Sequence, residues 1–131
     1  MDSFVLTRIF RATPDVIFAA WLDSATHTEI VGAESVIDPC VKGNFTIWDG
    51  YITGSNEFLE LNKKIVQTWR TNEFPDESPD SLLELELEEI TNGTKLRLTH
   101  SNIPEGQGES YKQGWIDYYF EPMKEYFERK S

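Results

Sequence analysis

The sequence has little sulfur and little positive charge. Its single cysteine, Cys40, excludes an intrachain disulfide framework and a cysteine-rich zinc module. Cys40 follows a proline in no nucleophile signature and reads as structural. Only 12 residues are basic against 23 acidic, a formal charge of -11. Such a surface repels phosphate backbones and anionic lipid, which argues against nucleic acid and membrane partners. No apolar run approaches the roughly 18 residues that span a bilayer, and no basic, apolar leader opens the chain. A glycine-rich phosphate loop and a serine nucleophile elbow are also missing. With two histidines, the metal inventory is poor: His27 and Glu29 would need ligands from elsewhere, and no cofactor is expected. These features predict a cytoplasmic protein forming one domain over residues 1–131, with the choice between monomer and homodimer open.

What is present is aromatic. Phe, Trp and Tyr make up 13% of the chain, above what disordered segments carry. Phe4 to Arg11 reads as a first strand. Thr13-Pro14-Asp15 then forms a helix start, with Thr13 the expected cap. Asp23-Ser24 restarts a second short helix that stops at Gly32. Strands follow at Val36-Ile37, Asn44–Trp48, Tyr51–Leu61 and Lys64–Thr71, with a tight turn at Asp49-Gly50 and an expected bulge at Gly54. Residues 72–80 read as a loop. Leu83, Leu85 and Leu87 alternate with Glu84, Glu86 and Glu88, which gives one apolar and one acidic face. Asn92-Gly93 turns the chain into a return strand, with Leu96, Leu98 and His100 on one face and Lys95 and Arg97 opposite the glutamates.

The C-terminal segment, from about Gln107 to Arg129, carries Tyr111, Trp115, Tyr118, Tyr119, Met123, Tyr126 and Phe127 at three- and four-residue steps. Pro122 interrupts its hydrogen-bond ladder and predicts a bend. Strands segregated from helices imply an α+β fold. A sheet with one polar face needs cover on the other. The long aromatic helix is the only element large enough, so the expected picture is a curved antiparallel sheet gripping that helix, with two short helices after strand 1.

This order of elements and several strings resemble the START-like (SRPBCC, Bet v-like) superfamily. Within it they resemble the C-terminal domain of the activators of the heat-shock protein 90 ATPase (AHSA-type). The strings are Thr13-Pro14-Asp15-Val16-Ile17-Phe18 with Ala20-Trp21, and Lys42-Gly43-Asn44-Phe45 followed by Asp49-Gly50 and Gly54. Further on come Lys64-Ile65-Val66 into Trp69-Arg70, then Gly93-Thr94 into Leu96, Leu98 and His100. Gly114-Trp115 and Pro122-Met123 close the set. The resemblance covers nearly the whole chain and implies a helix-grip fold, a cavity between sheet and helix, and a chaperone ATPase as a candidate partner in a stress response.

The residues suggest three functions. The first is binding of a small hydrophobic or aromatic molecule beneath the C-terminal helix. Trp48, Trp69, Trp115, Tyr118 and Met123 would give apolar contact, and His100 and Tyr119 the polar anchors. A filled core would show the same spacing. The second is a co-chaperone-like module contacting a heat-shock protein 90-type ATPase. The third is catalysis in the same cavity, which lacks a carboxylate to work with His100. For the glutamate row, with Glu89, a solvated sheet face and a docking surface are both open.

Overall fold

The structure is a computed structural model and describes residues 1–130. Strand β1 (Asp2–Phe10) leads into helices α1 (Pro14–Leu22) and α2 (Ser24–Val31). Six strands follow: β2 (Val36–Ile37), β3 (Asn44–Ile47), β4 (Ile52–Glu60), β5 (Lys64–Thr71), β6 (Ser81–Ile90) and β7 (Gly93–Ile103). The C-terminal helix has three parts: α3 (Gly108–Trp115), a π-helical turn (Ile116–Phe120) and α4 (Glu121–Lys130). The strands form one antiparallel sheet in the order β1-β7-β6-β5-β4-β3-β2. The expected α+β, helix-grip architecture is therefore the one observed.

Alternation sets which face is buried. In β6 and β7, Leu83, Leu85, Leu87, Leu96, Leu98 and His100 point inward. They meet Trp115, Tyr119, Phe120, Met123 and Phe127 of the C-terminal helix in one core. Trp69 of β5 sits 5.0 Å from Trp115, and Phe10 of β1 about 6 Å from both Phe120 and Phe127. On the outer face, Glu86 opposes Arg97 and Glu88 opposes Lys95 in register. The ion pair that forms on the acidic row is instead Lys64–Glu84, at 3.8 Å.

Helix α1 closes one end of the grip with Ile17, Phe18, Ala20, Trp21 and Leu22. Thr13 occupies its N-cap but makes no side-chain bond; its carbonyl accepts from Val16 and Ile17 instead. The cap that operates is Asp23, whose carboxylate accepts from the Thr26 amide at 2.9 Å and from its hydroxyl at 2.7 Å. Gly32 ends α2 at φ 78°, as its sequence position predicts.

One expectation needs correction. Gly54 carries no bulge; the register of β4 and β5 shifts between Asn56 and Phe58. The glycine serves close approach: a Cβ there would lie 2.1 Å from the Thr68 carbonyl and 2.4 Å from the Phe45 ring. Cys40 lies at the surface, and its carbonyl accepts from the Gly43 amide and from Asn56 Nδ2.

The conflict at Pro122 is resolved one turn earlier. The Glu121 amide bonds to the Ile116 carbonyl, five residues back, through the π-helical turn. The wider turn also preserves phase. Each four-residue step on an α-helix overshoots a full turn by roughly 40°. Trp115, Tyr119, Met123 and Phe127 are spaced by four, and the slower winding of the π turn keeps all four buried.

Gly54→Ala is expected to lower stability by about 2–3 kcal/mol in urea unfolding, because the clash is with backbone and an enclosed ring. A change below 0.5 kcal/mol would show that the strands separate freely.

Candidate functional site

The β3–β4 turn projects beside α3, and the space between them is the candidate site. Trp48, Asp49 and Gly50 all have positive φ (57°, 56° and 90°), and the Tyr51 amide bonds back to the Trp48 carbonyl at 3.0 Å. Asp49-Gly50 thus has the left-handed pair that a type I′ turn requires. A bulky residue in that region is rare, so Trp48 is held there by its surroundings. Its indole N–H donates to the Val31 carbonyl at 3.2 Å, and its ring meets Tyr118 edge-on at 4.9 Å.

A cleft of about 130 Å³ opens between this turn, β5 and α3. Trp48, Tyr51, Trp69, Tyr111, Trp115, Tyr118 and Tyr119 line it, with Ile52, Thr71, Ser110 and Gly114 between them. Tyr118 is 53% exposed and stands at the mouth, whereas Trp69 and Trp115 form the buried floor. Gly114 leaves the helix wall thin where the cleft passes it.

A polar bracket frames the opening. The Tyr51 hydroxyl donates to the Glu73 carboxylate. Tyr111 and Thr71 share a hydroxyl–hydroxyl bond of 2.7 Å, and Tyr111 also bonds Gln107 Oε1 at 2.8 Å. Gln107 Nε2 donates to the Glu73 carbonyl at 3.1 Å, which ties α3 to the loop after β5. Desolvation by burial raises the Tyr51 and Tyr111 hydroxyls above the ordinary phenol range, so both stay protonated at neutral pH. Among the described residues, the Trp69 indole N–H alone of the four has no hydrogen-bond partner.

Of the seven residues expected to line the site, five are there: Trp48, Trp69, Trp115, Tyr118 and Tyr119. His100 and Met123 are not. His100 faces the helix as alternation requires and is 0% exposed. Its Nδ1 accepts from the Trp115 indole at 3.1 Å, and its Nε2 lies 2.8 Å from Ser81 Oγ. Ser81 itself donates to the Trp69 carbonyl at 2.6 Å, so the proton between them sits on Nε2. Both ring nitrogens are thereby used inside the core. Met123 borders only a void of about 10 Å³ beneath α1 and α2.

Tyr119 contributes its ring to the cleft but turns its hydroxyl away, 2.7 Å from His27 Nε2. His27 is 1% exposed, and its Nδ1 lies 2.8 Å from the Trp21 carbonyl. The carbonyl can only accept, so Nδ1 carries the proton and Tyr119 donates to Nε2. The residue considered for metal ligation is thus a strut between α2 and the C-terminal helix. Sequence reading left Tyr51 and Tyr111 out of the site. Their signals were present: Tyr51 follows the Asp49-Gly50 turn, and Tyr111 begins the helical aromatic stripe.

With this geometry in view, the comparisons place the chain. Residues 11–128 match the family described as Activator of Hsp90 ATPase homolog 1-like protein. The chain belongs to that family. An HSP90 activator from Plasmodium falciparum is 31% identical, with a TM-score of 0.83 and 91% of each chain covered. The human activator of 90 kDa heat shock protein ATPase homolog 1 is 26% identical over 93% of this chain. An uncharacterised protein of Schizosaccharomyces pombe is 30% identical over 90%. The chain spans 35–36% of the length of these two curated relatives. The Aha1 dimer from Colwellia psychrerythraea, 18% identical with a TM-score of 0.77 and 94% of each chain covered, shares the fold. Among the described residues, no helix is long and apolar enough to cross a membrane.

The two histidines make an acid-sensitive core. Desolvation lowers His27 to about 4 and His100 to about 3. In the unfolded chain both titrate near 6.5. Below that pH the unfolded state takes up protons that the folded state refuses, so stability falls as pH drops from about 6.5 towards those folded values. Between pH 7.5 and 5.0 the combined loss should be roughly 3–4 kcal/mol by urea unfolding. His27→Gln should remove about half of this pH slope, whatever its effect on absolute stability. An unchanged slope would mean that His27 is protonated in the fold.

Proposed function

We propose that the cleft is a binding site for one small apolar group, of the size of a single ring. The observation that carries this is a wall of seven aromatic side chains around about 130 Å³ of open space. An engineered apolar cavity of about 150 Å³ accommodates benzene, so the volume suits a ring-sized molecule and is too small for a sterol or an acyl chain. The rings supply burial and stacking surface. The partnerless Trp69 N–H offers one donor to an acceptor atom on the ligand. His100 serves the site from behind, by holding Trp115 in the floor.

A second reading is favoured by a different observation. The Plasmodium falciparum relative covers 91% of both chains at 31% identity and is an HSP90 activator. On that reading the chain contacts a heat-shock protein 90-type ATPase. Catalysis finds less support in the site, because His100, the base it would need, has both ring nitrogens occupied and is held far below neutrality.

Titration with p-cresol, followed by amide chemical shifts, should show saturable changes around residues 48–52 and 110–119. Tyr118→Ala should weaken binding at least fivefold, since the side chain is at the mouth and half-exposed. Scattered, non-saturating shifts would overturn the ligand reading. In parallel, the co-chaperone reading predicts co-purification with an Hsp90-type ATPase and at least a twofold rise in its turnover. No change with the protein in large excess would retire it.

A further inference from the structure

Resting on the reading of this cleft as a binding site, we infer that its ligand is a methylated ammonium group, a nitrogen carrying three methyls and a positive charge. The inference starts from what the walls present. Trp48, Tyr51, Tyr111, Trp115 and Tyr118 supply rings around the space, and the face of such a ring attracts a cation through its quadrupole. No lysine or arginine lines the cleft to oppose one. The nearest cationic group along β5, Arg70, is turned to the Ser78 and Pro75 carbonyls and to Asp80.

The hydrogen-bond inventory narrows the cation. An ordinary ammonium brings three N–H donors that need acceptors when desolvated. Here most wall hydroxyls already donate elsewhere: Tyr51 to Glu73, Tyr111 to Gln107, Thr71 to Tyr111 and Tyr119 to His27, which leaves Ser110 and Tyr118, among the described residues, as too few free hydroxyls for three donors. A trimethylated nitrogen has no N–H to satisfy and a shell of methyls that the rings cover. It keeps the charge and removes the need.

Two further features point the same way. The Glu73 carboxylate lies one phenol hydroxyl beyond the mouth, and among the described residues it forms no ion pair. Its negative charge increases the electron density that Tyr51 offers. The chain as a whole carries -11, which draws cations towards it. The Trp69 N–H remains for the oxygen that choline-type molecules carry two carbons from the nitrogen. The backbone at Trp48, held at φ 57°, fixes the ring that closes the cage and pre-organises it.

The test compares choline with 3,3-dimethyl-1-butanol, which has the same shape without the charge. Tryptophan fluorescence and amide shifts report binding at low salt. Choline is expected to bind at least tenfold tighter than the neutral isostere. Glu73→Gln should weaken choline severalfold and leave the isostere unchanged, while Tyr118→Ala weakens both. A short peptide with one trimethyl-lysine, against its unmethylated form, separates a protein source of the group from a free metabolite. Preference for either methylated ligand over its control supports the inference. Equal binding of choline and the isostere overturns it while leaving the cleft a site for neutral groups. No binding by choline, the methylated peptide, the isostere or p-cresol removes both readings.

Discussion

The structure depends on two neutral imidazoles that tie the C-terminal helix to the rest of the fold. His100, from the centre of the sheet, accepts the Trp115 N–H. His27, from α2, accepts the Tyr119 hydroxyl. The two donors are four residues apart on one helix face, so the pair fixes both the rotation and the height of the helix over the sheet. Buried aromatic polar atoms need partners. Histidine can accept at one nitrogen while donating at the other, which lets each imidazole continue a chain of bonds. One chain runs from Trp115 through His100 and Ser81 to the Trp69 carbonyl. The other runs from Tyr119 through His27 to the Trp21 carbonyl. Neither chain leaves a dangling group, since each ends on a backbone carbonyl.

The cleft lies towards the N-terminal end of the C-terminal helix. Beneath α1 and α2, where Met123 and Phe127 pack, the interior is filled down to about 10 Å³ of void. On the other side, the β3–β4 turn approaches α3 through rings that touch edge to face. Rings in that arrangement leave gaps at their corners that aliphatic side chains would fill. Gly114 and the short Ser110 prolong the gap along the helix. A third line of polar contacts helps to hold the fold: the Trp21 indole bonds Gln67, which bonds Asn56, which reaches the Asp38 and Cys40 carbonyls. It anchors α1 and the loop before β3 to the sheet.

Much of this was legible in the residues. Period-two alternation in Leu83–Leu87 and Leu96–His100 identified the inward face of the sheet, because one face is apolar and the register is pinned by Asn92-Gly93. Four-residue aromatic spacing identified the helix that covers it. The sequence could not show how polar tips are used. His100 and Tyr119 were correctly placed near the core, but as anchors for a ligand. The partners that absorb them, Ser81, Trp115 and His27, lie 15 to 92 residues away in the chain. A pattern of hydrophobicity carries no information about such long-range pairing. Pro122 shows a similar limit. Local chemistry announces a broken hydrogen bond, but whether a bend or a π turn absorbs it depends on which face must stay buried.

Family membership and site chemistry answer different questions here. The match across residues 11–128 accounts for the sheet, the helix order and the strings that mark turns and caps. It does not specify what meets the cleft, because a shared frame does not fix the chemistry of a site. The mouth is set by Trp48, Tyr51 and Tyr118, and these owe their positions to local constraints. Three successive positive φ values aim the first two, and the π turn that follows Trp115 rotates Tyr118 outwards while Tyr119 stays buried. The distortion that lets the helix accommodate a proline is thus also the one that places a ring at the entrance. Core packing and site geometry are two consequences of one irregular turn.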